Sequence, residues 1–179
     1  MYLHITTGTL NYLEDLQEKY PQTSLNAKGT DAVLFYEDNQ VESVFATKKT
    51  YEVLYQEGEL NGESPITIFY IPSAGDGFQA LRMHLSDLTD QLQEMNGILS
   101  YRLAVNDKSE TYVLFIKWAD LLVHDDFKYT DAFKKYLTHD ALKRFRNEES
   151  LFGDYLSSKT YYSVDDNEFT EEEKEELSD

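Results

Sequence analysis

The 179-residue chain has no cysteine, only three prolines and eight glycines, and a single tryptophan. Without cysteine there is no disulfide, no thiolate metal site and no cysteine nucleophile. That composition suits a reducing compartment, and the protein is expected in the cytoplasm. So few prolines and glycines leave no long linker. No run of about 18 apolar residues occurs, so no membrane span is expected. The opening Met1-Tyr2-Leu3-His4 lacks the basic and apolar regions of a secretion signal. Basic charge is scarce as well: 16 lysines and arginines face 34 acids, for a net charge of -18. Such a surface repels phosphate backbones and anionic lipid heads, which argues against nucleic-acid partners. The signatures GxSxG, GxxxxGK[ST], GxGxxG and HExxH are all missing. No catalytic residue is therefore assigned.

The most informative stretch runs from Thr111 to Leu142. Tyr112-Val113-Leu114-Phe115-Ile116 is β-branched and aromatic, as a strand buried on both faces requires. Asp120 can cap a helix that carries Leu121, Leu122 and Phe127. Thr130 or Asp131 can cap a second one that carries Ala132, Phe133, Tyr136 and Leu137. Phe78, Leu81, Leu85, Leu88, Leu92 and Met95 fall at steps of three and four, on one face of a helix from Gly77 to Met95 that Asn96-Gly97 ends. Ile66–Ile71, Ile98–Val105 and Tyr155–Val164 read as strands, with a turn at Asn106-Asp107-Lys108-Ser109. From Ile66 onward the order is β-α-β-β-α-(α)-β, the split pattern of ferredoxin-like α+β folds.

Residues 1–64 read as a small N-terminal α+β unit packed on a main domain of residues 65–164. Its strands are Tyr2–Thr7, Ala32–Tyr36, Val41–Ala46 and Thr50–Gln56, with a hairpin turn at Glu37-Asp38-Asn39-Gln40 and a helix carrying Leu10, Leu13 and Leu16. Residues 165–179 are dominated by acids and have too little apolar surface to offset the entropy of ordering, so a disordered tail is expected. A half-barrel leaves one sheet face uncovered. A second copy could close it, so a homodimer is expected, with the N-terminal unit as the other possible cover.

Four histidines, His4, His84, His124 and His139, are the candidate ligands or bases near neutral pH. None has metal-site spacing. His84 lies at the edge of the apolar stripe of its helix, where it could face a cavity. His139 follows the aromatic cluster.

Several short segments, in order along nearly the whole chain to Val164, resemble the staphylococcal signal-transduction TRAP family. They include Gly8-Thr9, Tyr51-Glu52-Val53, Ile71-Pro72-Ser73, Ser100-Tyr101-Arg102-Leu103, Asp126-Phe127-Lys128, Asp131-Ala132-Phe133 and Asp140-Ala141-Leu142. That family in turn resembles the antibiotic-biosynthesis-monooxygenase superfamily of dimeric α+β barrels, which includes haem-degrading monooxygenases of the Isd and HmoB types. The resemblance implies a ferredoxin-like barrel and raises haem as a possible ligand. In those enzymes an asparagine on the first barrel strand, a tryptophan near a helix end and a histidine iron ligand do the work. Asp126 through Phe133 is similar to their tryptophan stretch. On that register Phe127 takes the tryptophan position and Leu137 the histidine position, while Ile66–Ile71 has no asparagine. A haem iron would then need His139 or His84, which with Phe127 are the candidate cavity positions. The histidines implicated in TRAP-type phosphorylation have no counterpart in Gly58–Ser64, Ile71–Gly77 or Asn147–Asp154. The expectation is a non-enzymatic regulatory or binding protein with no required cofactor. The alternative is a haem-binding or haem-degrading monooxygenase with altered ligation.

Overall fold

The strands of this chain turn one row of side chains inward and one outward, and in β3, β5 and β7 both rows are largely apolar. The strands close on themselves, and helices cover the outside. The computed structural model describes residues 1–47, 49–73, 75–146 and 156–167. The strands are β1 (Tyr2–Thr9), β2 (Ser24–Lys28), β3 (Asp31–Asp38), β4 (Thr50–Glu57), β5 (Ile66–Pro72), β6 (Ile98–Asn106), β7 (Thr111–Trp118) and β8 (Ser157–Ser163). They form a closed antiparallel barrel in the order β1-β3-β2-β8-β5-β7-β6-β4. Closure leaves no unpaired strand edge.

Three apolar layers result. Leu3, Ile5, Phe35, Ile68, Val113 and Phe115 fill the barrel interior. Outside β1, β3 and β2, Leu34, Tyr36 and Leu25 pack under Leu10 and Leu13 of α1 (Leu10–Lys19). Outside β5, β7 and β6 lies the widest layer. There α2 (Gly77–Gln93) sets Phe78, Leu81, Leu85, Leu88 and Leu92 against the sheet, as their spacing predicts. Helices α3 (Leu121–Phe127), α4 (Asp131–Tyr136) and α5 (His139–Leu142) follow, and a short 3-10 turn, Lys143–Phe145, ends the layer. All three helices are capped by side chains: Asp120 accepts from Val123 N–H, Thr130 from Phe133 N–H and Thr138 from Ala141 N–H. Among the described residues, no helix is long and apolar enough to cross a membrane.

The sheet face that the sequence leaves open for a second copy is covered from within, because β1–β4 complete the barrel that β5–β8 begin. Two seams join the halves. Strands β2 and β8 meet over Asn26–Ser163 and Ala27–Tyr162, and β4 and β6 over Glu52–Val105, Val53–Ala104, Tyr55–Leu103, Gln56–Arg102 and Glu57–Tyr101. One end of the interior is closed by Arg102, whose guanidinium grips both Glu37 carboxylate oxygens and donates to the carbonyls of Glu57 and Gly58. This pair spans from β6 to β3, across β4 and β1, which pair with each other in between.

Several expectations need correction. Val41–Ala46 is not a strand: residues 39–47 form a loop in which Val41 is 60% exposed and only Phe45 is buried. The hairpin turn expected at Glu37–Gln40 lies at Gly29-Thr30 instead, between β3 and the unforeseen β2. Leu121 and Leu122 do not join the core; Leu122 is 74% exposed, and α3 buries Phe127 instead. The closing strand is β8, while Tyr155 lies outside the described residues. Of the acidic tail, Asp165 and Asp166 form a 3-10 turn. Asn167 clasps Gly29, accepting from its N–H and donating to its carbonyl. Residues 168–179 lie outside the described part.

Gly97, at the turn from α2 into β6, has φ +92, and a Cβ there would lie 2.5 Å from Val123 Cγ2. Gly97→Ala is expected to lower stability by about 1–3 kcal/mol in urea unfolding. Adding Val123→Ala should recover the steric part and leave the backbone part.

Candidate functional site

The strand-to-helix passage at Trp118 builds the aromatic centre of the outer layer. Strand β7 ends on Trp118, Asp120 starts α3, and the helix returns Phe127 over the indole at a ring separation of 5.1 Å. Phe69 of β5 and Phe133 of α4 flank Phe127 at 6.2 and 5.6 Å. Leu137 and Tyr136 complete the same packed layer. Phe127 is 3% exposed and Leu137 1%, so both positions singled out by the resemblance lie inside close packing.

The two candidate histidines part company. His84, on α2, is buried, and both ring nitrogens are engaged: Nε2–H donates to Tyr136 O at 3.0 Å, and Nδ1 accepts from Arg144 at 3.2 Å. Burial pushes its pKa below the usual histidine value; the Tyr136 bond pulls the other way, and the Arg144 charge lowers it further. The ring edge borders a surface groove with Asp76, Met83 and Asp87, outside the helix layer. His139 is solvent-exposed at the start of α5. Phe127 and His139 therefore do not share a cavity.

Two hydrogen-bonded chains are organised around the other histidines. Trp118 Nε1–H donates to Thr67 Oγ1 at 2.8 Å, and Thr67 and Thr160 hydroxyls meet at 2.8 Å. Thr160 Oγ1 lies 2.9 Å from His124 Nε2, while His124 Nδ1 is 2.9 Å from Asp125. Directed from the indole towards the carboxylate, every proton in this chain has one acceptor. It ties β7, β5, β8 and α3 together. His4 is fully buried, between the Thr50 hydroxyl at 2.8 Å and the Asp38 carboxylate at 2.9 Å, and it stacks on Tyr36. This second set fastens the ends of the 39–47 loop to β1. The histidines are visible in the sequence, but Thr67 and Thr160 are not, since only the β5–β8 register makes them neighbours. Among the described residues, no group of histidines and acids could hold a metal ion.

Residues 66–148 match the antibiotic biosynthesis monooxygenase family. Among curated relatives, the signal transduction protein TRAP of Staphylococcus aureus (strain USA300) is 27% identical over 160 residues, covering 89% of this chain and 96% of that protein. A solved structure described as a major regulator of staphylococcal pathogenesis superposes with a TM-score of 0.79 at 26% identity, covering 92% of this chain and 99% of that one. A heme-degrading enzyme from Listeria monocytogenes shares the fold, with a TM-score of 0.69 at 19% identity over 90% of this chain and 99% of that one.

Proposed function

This chain is related to the staphylococcal TRAP proteins over most of its length and carries an antibiotic biosynthesis monooxygenase domain at residues 66–148; from that premise we propose that it is a non-enzymatic regulatory or binding protein. The filled layer between sheet and helices supports this most directly. A haem needs an open slot and an axial ligand that reaches into it. Here Phe127, Leu137, Tyr136 and Trp118 occupy that layer. Both nitrogens of His84 are spoken for within the protein, and His139 is on the outside. The residues present do not fit a haem.

Titration with haemin tests this. The Soret band is expected to stay at the position of free haemin, and with a reductant the absorbance should follow uncatalysed bleaching. A Soret shift that disappears in His139→Ala, or iron release faster than from haemin alone, would establish the monooxygenase alternative instead.

We assign the protein to the cytoplasm, on its cysteine-free composition. As for a homodimer, the chain supplies both halves of the barrel itself. We therefore infer that a second copy would associate through the outer surface and not by closing the sheet.

A further inference from the structure

The end of the barrel opposite Arg102 is open. Its cavity of about 600 Å³ is lined by Thr7, Asp31, Lys49, Tyr70, Lys159 and Tyr161, among others. We propose that this mouth binds a small organic monocarboxylate with a flat apolar body, its carboxylate held by the Tyr70 and Tyr161 hydroxyls between the ammonium groups of Lys49 and Lys159.

Three observations converge on this. The first concerns the phenols. Tyr161 is 3% exposed and Tyr70 half-buried, and both belong to the inner row of the barrel and line its mouth. A phenol hydroxyl at the wall of such a cavity can donate to an acceptor oxygen of a ligand. Burial pushes the Tyr161 pKa up to about 12 and raises that of Tyr70 further, with neighbouring Tyr51 adding to the effect. Both therefore stay neutral donors, suited to an anionic oxygen.

The second is charge. On a chain of net charge -18 this mouth carries two lysines against one aspartate. The larger cavity of about 760 Å³ is lined by Glu63, Asp120 and Asp166 with no base. The cavity beside β4 has Glu42, Glu52 and Asp107 against Lys108. An anion is repelled from those and admitted here. Lys159 is already shared with Asp31 at 2.7 Å, so the surplus suits one negative charge and not a phosphate dianion.

The third is the wall. Lys159 lies over the Tyr161 ring, 5.4 Å from its centroid, and Ala32 and Gly8 present little bulk. The half-buried ring of Tyr70 gives an apolar surface on which a flat body can rest.

The inference deepens the binding-protein reading and rests on it for its sense of function. Benzoate is the probe, titrated into the full ¹⁵N-labelled chain, with benzylamine and benzyl alcohol beside it. Benzoate is expected to move the amide resonances of Gly8, Thr9 and Tyr161 in a saturable way, and benzylamine is not. Tyr161→Phe and Tyr70→Phe keep the rings and remove the donors, so each should weaken benzoate by about tenfold. Lys159→Met should weaken it as well, and its side chain is exposed enough to leave folding intact. No shift with benzoate, equal shifts with benzylamine, or unchanged affinity in both phenylalanine variants would overturn the site and leave the binding-protein reading standing. Chemical conversion of bound benzoate, seen as new probe signals, would keep the site and overturn the non-enzymatic reading.

Discussion

Leu85→Asp is expected to leave the chain unfolded at 25 °C. Leu85 is fully buried at the middle of α2, with Leu81 and Leu88 on either side and the sheet beneath. An aspartate there would lose the packing of a buried leucine, about 2–5 kcal/mol. It would also carry a carboxyl into an apolar layer, at a further several kcal/mol or a forced protonation. Domains of this kind have about 5–15 kcal/mol to lose. Far-UV circular dichroism and urea titration should find no cooperative transition. A soluble Leu85→Asp protein that melts cooperatively near the wild-type midpoint would refute the packing of α2 described above.

Glu37→Ala should be the second severe change, through a different cause. Arg102 is buried, and its side chain is 5% exposed against 16% for Glu37. Taking away the carboxylate strands a guanidinium inside the barrel end with only backbone carbonyls to face. Breaking one member of a buried pair costs about 3–5 kcal/mol. Replacing both, as Glu37→Met with Arg102→Met, removes the stranded charge and should recover much of that loss. Urea midpoints of the two single variants and the double variant form the test. If the double variant is as unstable as the sum of the singles, the pair is not coupled as the distances require.

Helix α2 was readable because six apolar residues at steps of three and four can only share a face on a helix, and β5, β6 and β7 because their β-branched runs are too short and too apolar for anything exposed. Strand β2 was not: Ser24-Leu25-Asn26-Ala27-Lys28 is half polar, and it is a strand because β3 and β8 lie on either side of it. Val41 to Ala46 has strand-forming residues with no neighbour to pair with, and it became a loop. Tertiary pairing overrides β propensity in both places. The same limit applied to the sites. His84 stands out in the sequence at the edge of an apolar stripe, but its two partners come from residues 52 and 60 positions away. The barrel-mouth tyrosines come from β5 and β8, and only the register turns both to the interior.

The two seams set the order in which this protein can come into being. Strand β2 pairs with β8, and the clasp between Gly29 and Asn167 joins residues 138 positions apart. The first three strands and α1 leave the ribosome with their inner faces bare and stay so until nearly the last described strand has been made. Closing so long a loop is slow, because its entropy is lost before the contacts are gained. During synthesis the exposed inner row of β1 and β3, Leu3, Ile5, Val33 and Phe35, is the surface that a nascent-chain chaperone would meet.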